Sequence, residues 1–577
     1  MSALFYPPSS SEKSDPLVLG DIQIALALAL LASCLFWTTP RFAASLPQDA
    51  ADYAIPAVKL LEHGRLVLSA YGRDFPPMHP PGISLLLAPA YVLFGHFLGN
   101  GIYAVLLCSV STIALTYIIG VKLGGRLCGC SAALFLVSNY CFWQYSQKIM
   151  SEVPTTFFGV VVLALCLTIR DWKRSGLVCL AIGATIGFAV TIRNDNILLL
   201  APAALLLAWE GARQERLQRL WFSLVGMAPF LIGLAAYNQV TFGHPWQTGY
   251  HYWGGAGSVN QPGFSVGYIT KSGFMRLQGI KPANNQVVYG NGTLYLGSLL
   301  NQADTTQIFR LPVHKLSPFT RLYQTEALLR TALGAIGLLA CLVGWRTNSL
   351  RQRFFVWLVL ITFAYVGFYS MYFYRDERFL LRLVPAFCLA NGLGVEALLA
   401  KWPSWRARAA LLVAVGAQIV GFMLWDVGIG LPPGEQFENH QALTFLSSKI
   451  EANAVVVSNF NPFLVDAYLI HGTHRIAVPL GTNSETRAFI GDDSTSTIFS
   501  PFVASRDPER LRELLHSGLP VYWLIDRPWQ HQPASDDYSE LNTLAQSFDV
   551  LLLGTVEFRS QDYQPLFGRI VDKQQQR

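Results

Sequence analysis

Apolar runs near the length of a bilayer crossing recur from residue 20 to residue 428, and this repetition constrains the fold more than any other feature of the chain. A hydrocarbon core of about 30 Å takes about 20 residues of helix. Runs near that length fall at roughly 20–38, 102–121, 127–145, 154–169, 175–192, 195–210, 220–240, 328–345, 354–374, 379–400 and 408–428. The expected fold is mainly α: a polytopic membrane protein of about eleven transmembrane helices. The composition agrees, because only 14% of residues are charged and the mean hydropathy is +0.35. A soluble domain carries about 25% charge. A net charge of +6 without a Lys/Arg-rich run argues against a nucleic-acid partner. The sequence shows no internal repeat.

The basic residues orient the runs. With the amino terminus inside, the short cytoplasmic loops hold Lys122 and Arg126; Arg170, Lys173 and Arg174; Arg213, Arg216 and Arg219; Arg346, Arg351 and Arg353; and Lys401, Arg406 and Arg408. That is the positive-inside pattern. A further run, Ile83 to Leu98, contains Pro89; counted as a span it would turn all these loops outward, so it is read as an interfacial helix. The first run, followed by the small residues Ala43-Ala44-Ser45, has some features of a signal peptide, but a long preceding segment with Lys13 as its only base favours an uncleaved helix. Residues 1–430 then form the membrane domain, with extracytoplasmic loops at 39–101 and 242–327.

Residues 431–577 form an extracytoplasmic tail, read as a small α/β domain. Ala454-Val455-Val456-Val457-Ser458 and Val521-Tyr522-Trp523-Leu524-Ile525 read as buried strands. Asp507 and Pro508 open a helix as N-cap and first residue, and Gly518 closes it. All nine cysteines lie in or beside apolar runs, so the tail has neither a disulfide framework nor a cysteine metal site. Cys128 and Cys130 lack a partner cluster and read as small helix residues.

The informative charges are those that break the topological trend. Lys148, Arg193, Arg375, Arg378 and Arg382 fall in short outer loops or at outer helix ends. Charges placed so near the hydrocarbon tend to mark substrate pathways, and bases meeting at one face suit a phosphate. Local ion pairs, such as Arg193 with Asp195 or Arg375 with Asp376, are the plainer explanation for each base alone. Asp49 and Asp52 begin the first outer loop, and Tyr53 lies one turn after Asp49 on the same helix face. Glu152 stands at the outer mouth of the fourth span. Either acid is also a normal first-turn residue favoured by the helix dipole.

These motifs carry a resemblance. Asp49-x-x-x-Tyr53, Leu60-Leu61-Glu62-His63-Gly64 and Pro76-Pro77-x-His79-Pro80-Pro81-Gly82 resemble the first outer loop of GT-C glycosyltransferases. The similarity is to the branch of the protein O-mannosyltransferases and the aminoarabinose transferase of lipid A. Ser151-Glu152-Val153-Pro154, Thr191-Ile192-Arg193-Asn194-Asp195, Phe242-Gly243-His244-Pro245 with Thr248-Gly249-Tyr250, and Arg378-Phe379-Leu380-Leu381 with Pro385 follow in order. The resemblance covers residues 20–430 and implies that Asp49 is the catalytic carboxylate and Glu152 its helper. Two departures stand out: Asp52 competes with Asp49 for the role, and Arg382 occupies a position that is small or proline in many relatives.

The implied chemistry is transfer of a sugar from a polyprenyl-phosphate donor to a lipid, glycan or protein acceptor at the outer face of a cell (inner or plasma) membrane. A general base at Asp49 predicts inversion and contributes about 10²–10⁴-fold. Lys148, Arg193, Arg378 and Arg382 would hold the departing phosphate; His79 would position the donor or serve packing of the loop, and Tyr53 and Tyr250 would contact sugar or anchor the interface. No cofactor is required; a divalent cation held by Asp49, Glu152 and His79 is compatible with the ligand types. The rival readings are a transporter or flippase for a lipid-linked glycan, which often shows repeats and a midplane site, a glycan ligase, and a receptor whose tail binds a ligand.

Overall fold

The computed structural model describes residues 19–37, 48–71, 73–169, 175–209, 211–254, 264–277, 318–343, 348–373, 376–402, 443–460, 462–470, 473–481, 503–525, 536–555 and 566–573, with a few isolated positions between them. The run at 408–428 and most of the loop at 242–327 lie outside this set.

The membrane part is built from helices α1 (Leu19–Trp37), α2 (Gln48–His63), α3 (Gly82–Phe94), α4 (Ile102–Val137), α5 (Tyr140–Ser146), α6 (Glu152–Thr168), α7 (Ser175–Ile192), α8 (Leu200–Leu207), α9 (Arg213–Phe242), α10 (Gly249–Gly254), α11 (Lys271–Leu277), α12 (Pro318–Val343), α13 (Ser349–Ser370) and α14 (Val384–Lys401). Strands β1 (Leu68–Ala70) and β2 (Arg73–Phe75) make a small antiparallel hairpin between α2 and α3. Short 3₁₀ helices at Asn194–Leu199 and Glu377–Leu383 lead into α8 and α14. Among the described residues, six helical stretches are long and apolar enough to cross a bilayer, and four shorter apolar helices accompany them.

The difference from eleven runs has two physical sources. The first is α4, which is a hairpin. Gly125, at φ +83°, breaks its helical dihedrals, a conformation that costs glycine little. A Cβ at Gly120 would lie 2.6 Å from the Cα of Gly129, so the chain doubles back and its two limbs touch backbone to backbone. The run 127–145 is then interrupted at Ser138, where Asn139 caps α5 by accepting from the Phe142 N–H at 2.9 Å. Buried Arg330 of α12 donates to the carbonyls of Phe135 and Ser138 at 3.0 and 3.2 Å and satisfies that helix end. The second source is α6, α8 and the Leu329–Val343 part of α12, each shorter than a full crossing, while the run at 408–428 lies outside the described residues. The additional run read as interfacial is α3, which at 13 residues reaches about 20 Å.

The bundle has two chemically distinct ends. At one, Arg126 Nε lies 2.7 Å from Asp21 of α1, and Arg351 pairs with Glu396 at 3.0 Å while donating to the Leu123 carbonyl. At the other, α2, the β hairpin, α3 and the mouths of α6, α7 and α14 converge. The stretch Ile102–Gly124 separates them by about 34 Å of helix rise.

The C-terminal part holds strands β3 (Val455–Ser458), β4 (Ile476–Pro479), β5 (Val521–Ile525), β6 (Phe548–Thr555) and β7 (Leu566–Asp572), with helices α15 (Pro462–Val465), α16 (Pro508–His516) and α17 (Asp536–Ser547). The sheet order is β4-β3-β5-β7-β6, parallel across the first three strands and antiparallel across the rest. Every residue of β3 and β5 is buried, as their unbroken apolar sequence requires of central strands. Asp507 caps α16 by accepting from the Arg510 N–H, and Pro508 takes the first position. Phe463 of α15 meets Phe75 of β2 with centroids 6.1 Å apart, so this part rests on the first loop.

Candidate active site

Glu152 opens α6, and Pro154 sits in that first turn, where its missing N–H costs no helical bond. The Glu152 side chain is only 1% exposed. A carboxylate so buried needs cations and donors, and two other segments supply them. Arg193 leaves the end of α7 in extended geometry and donates from Nη1 to Glu152 Oε1 at 2.7 Å. Its Nε lies 3.6 Å from Asp195, and Nη2 donates to the Tyr369 hydroxyl at 3.3 Å. The second segment is the 3₁₀ helix Glu377–Leu383, capped by Asp376. Three residues per turn set positions four apart about a third of a turn from one another. Arg378 and Arg382 therefore fan out to different acids. Arg378 Nε lies 3.0 Å from Asp376 and 3.6 Å from Glu152, whereas Arg382 Nη1 lies 2.8 Å from Asp195 and its Nε donates to Thr155 at 3.2 Å.

Aromatic rings hold the guanidinium groups in place. Phe379 stacks on Tyr369 at 4.4 Å, with Arg193 and Arg378 at 5.2 and 5.5 Å from its centroid. Arg382 lies 4.9 Å from the ring of Tyr365, and the Tyr369 hydroxyl donates to Asp195. Lys148, between α5 and α6, packs its ammonium 5.0 Å from the ring of Tyr145, near Asp376, Arg378 and Glu152. Burial lowers the proton affinity of Lys148 and raises that of Asp376, in the latter case against the opposing effect of Arg378.

The first loop borders this network. The Tyr53 hydroxyl of α2 lies 3.4 Å from Ser151 Oγ, which in turn lies 3.4 Å from Arg193 Nη1. Asp52 Oδ2 is 3.1 Å from His79 Nδ1, with both side chains less than 15% exposed. The His79 ring lies 4.6 Å from Tyr53 and 5.5 Å from Tyr250 of α10. Two motif glycines make these approaches sterically feasible. A Cβ at Gly82 would fall 2.3 Å from Thr191 Oγ1, and one at Gly249 would fall 2.2 Å from the Pro77 carbonyl. The glycine of the proline-rich motif thus seats α3 against the segment that delivers Arg193, and the second loop seats on the first.

The expected residues Tyr53, His79, Lys148, Glu152, Arg193, Tyr250, Arg378 and Arg382 come together at one end of the bundle, with Asp52 joined to His79. Asp49 belongs to the first turn of α2, but its side chain lies outside the described residues, as does Arg375. Among the described residues, no group of three or more His, Cys, Asp and Glu side chains is arranged to hold a metal ion. Sequence reasoning gave no functional role to Asp195, Asp376 or Tyr369. Asp195 had a signal, as an acid flanked by two asparagines at the head of an apolar run; Tyr369, inside a long aromatic-rich run, had none.

Residues 78–237 match the family model described as dolichyl-phosphate-mannose-protein mannosyltransferase. No curated protein matches the sequence. Among solved structures, the chain is similar to ArnT from Cupriavidus metallidurans bound to undecaprenyl phosphate, at 12% identity and a TM-score of 0.58, covering 95% of this chain and 98% of that one. It is similar to the Archaeoglobus fulgidus oligosaccharyltransferase tethered with an acceptor peptide, at 13% identity and 0.51, covering 96% and 74%. It is also similar to the mycobacterial arabinofuranosyltransferase AftD, at 12% and 0.52, covering 98% of this chain and 41% of the other. At these identities the likeness speaks for the fold. Together with the matched segment, it bears out the resemblance carried by the motifs at the level of the fold: the chain has the fold of the GT-C glycosyltransferases.

Proposed function

We propose that the chain is an inverting glycosyltransferase that moves a sugar from a polyprenyl-phosphate donor to a lipid, glycan or protein acceptor at the extracytoplasmic face of the cell membrane. The observation that carries this reading is the convergence of Arg193, Arg378 and Arg382, beside Lys148, at the mouths of three helices under the first-loop helix α2. A lipid phosphate must stay at a bilayer surface, and cations gathered there stabilise it as its glycosidic bond breaks. Asp49, a turn before Tyr53 on the same helical face, acts as general base on the acceptor hydroxyl or amine. Glu152 anchors Arg193 and Arg378. Tyr53, His79 and Tyr250, with Asp52 behind His79, contact the donor sugar. Needing only the carrier phosphate as leaving group, the reaction requires no cofactor; a divalent cation, where bound, would draw on Asp49, Glu152 and His79. The reading includes about eleven spans, with residues 431–577 outside the cell membrane.

A transporter or flippase for the same lipid-linked substrate shares the cations but has no use for a carboxylate base, and a glycan ligase differs in its acceptor. The test uses the purified chain in nanodiscs, supplied with radiolabelled undecaprenyl-phosphate mannose and undecaprenyl-phosphate aminoarabinose. The expected result is turnover that falls at least about 100-fold in Asp49→Asn while undecaprenyl phosphate still binds. Undiminished turnover in that variant would remove the assigned base, and movement of intact donor between leaflets without transfer would favour the flippase.

A further inference from the structure

Asp376 has no part in the chemistry above, yet it stands at the rim of the arginine network. Its side chain is 22% exposed, against 1% for Glu152 and 8% for Asp195. It grips Arg378 twice: Oδ1 accepts from the backbone N–H at 2.9 Å, and Oδ2 lies 3.0 Å from Nε. Among the described residues, Lys148 and Glu152 are further charged groups acting on it, and Tyr145 also lies near it. The Tyr295 hydroxyl accepts its backbone N–H at 3.3 Å.

Arg378 and Arg193 are almost equally exposed, at 16% and 15%, but Arg378 is the one paired with the rim acid Asp376, whereas Arg193 and Arg382 are turned toward the buried acids Glu152 and Asp195. A guanidinium offers its planar fork to a bidentate partner, carboxylate or phosphate, along the same edge. Phosphate and Asp376 thus compete for Arg378. With both ionised and adjacent in a partly dry site, the two anions repel; the phosphate keeps its charge on Arg378 and Lys148, and the carboxylate that has lost its cation takes the proton.

We propose that Asp376 is a proton-coupled gate on the phosphate site: the carrier phosphate displaces the Asp376 carboxylate from Arg378, and Asp376 takes up a proton from solvent as it leaves. One O–H bond forms at the carboxylate and one proton is drawn from the buffer; when the phosphate departs, the proton returns and the ion pair with Arg378 closes again. The inference rests on the donor reading proposed above. Burial already favours the neutral carboxyl at this position, so the uptake runs with the environment. The sign follows directly. The bound state holds the extra proton, so acid strengthens binding and rising pH weakens it.

The experiment is calorimetric titration of the full chain in nanodiscs with undecaprenyl phosphate from pH 5 to 8, in paired buffers of different ionisation enthalpy. The phosphate's own titration near pH 6, about the value for a monoester, is common to every protein compared. The wild type is expected to take up close to one proton more than Asp376→Asn. Its affinity relative to that variant should fall by up to about tenfold per pH unit where the coupling is complete. Asn at 376 keeps the cap on the 3₁₀ helix; should that variant fail to fold, Asp376→Ser keeps a capping oxygen and gives the same readout. Equal proton uptake with parallel pH curves would overturn the gate while leaving the phosphate site intact. Absence of binding in the wild type would overturn the carrier reading and the gate with it.

Discussion

Replacing Arg193 with Met tests whether the buried network is a set of mutually dependent charges. Arg193 is the nearest cation to Glu152, at 2.7 Å, and Glu152 is 1% exposed. Removing one partner of a buried pair costs about 3–5 kcal/mol, because an uncompensated charge stays behind. Arg378 remains 3.6 Å from Glu152, so the lower part of that range, about 3 kcal/mol, is expected. Glu152→Gln should cost less, about 1–3 kcal/mol, since Arg193 keeps Asp195 at 3.6 Å, the Tyr369 hydroxyl and Ser151. The double variant removes both charges and should be more stable than Arg193→Met alone. Unfolding midpoints of the four purified proteins in one detergent complete the double-mutant cycle. If the double variant loses the sum of the two single losses, the pair is not coupled and the network described here is wrong.

Other outcomes are equally specific. Gly82→Val should misplace Arg193, because even a Cβ there falls 2.3 Å from Thr191 Oγ1 and 2.6 Å from its carbonyl oxygen; undecaprenyl phosphate affinity is expected to drop about tenfold or more, with Gly233→Val, at an open helical position, as the uncrowded control for thermal midpoint and binding. Asp52→Asn replaces a carboxylate that accepts from His79 Nδ1 with an amide able to donate to it; ¹⁵N spectra of histidine-labelled protein should show one ring exchanging its protonated nitrogen, and the same ring should vanish in His79→Gln. Lys148→Arg should carry phosphate binding further into alkaline pH. Burial makes the lysine lose its proton below the usual lysine range, whereas a guanidinium does not titrate there.

Much of the site was legible because membrane proteins restrict where charge can go. Arg193, Arg378, Arg382 and Glu152 drew attention as charges at helix ends without a topological reason, and all four share one network. What spacing does not encode is which acid each base meets. Arg193 and Asp195 look like a local pair, and they do lie 3.6 Å apart; the shorter contact, to Glu152, crosses 41 residues. His79 and Asp52 meet across 27 residues because the β hairpin folds the proline-rich motif back over α2. The hairpin in α4 was legible as two runs separated by Lys122 and Arg126. The break at Ser138–Asn139 was not, since it depends on the buried Arg330, which reaches the freed carbonyls from a helix far along the chain.

The threading of the network also orders events during biosynthesis. Arg382 reaches Thr155 across 227 residues, so at about 5–20 residues per second the acids of the early helices wait roughly 10–50 s for their later cations. Over that interval Glu152 has Arg193 for company, while Asp195 lacks the guanidinium that later sits 2.8 Å away. The half-made protein must therefore keep its early helices shielded from lipid or carry protonated acids. A chain halted before residue 376 would keep these acids without Arg378 and Arg382, so an unfinished chain differs from a finished one in buried charge that has no counterpart.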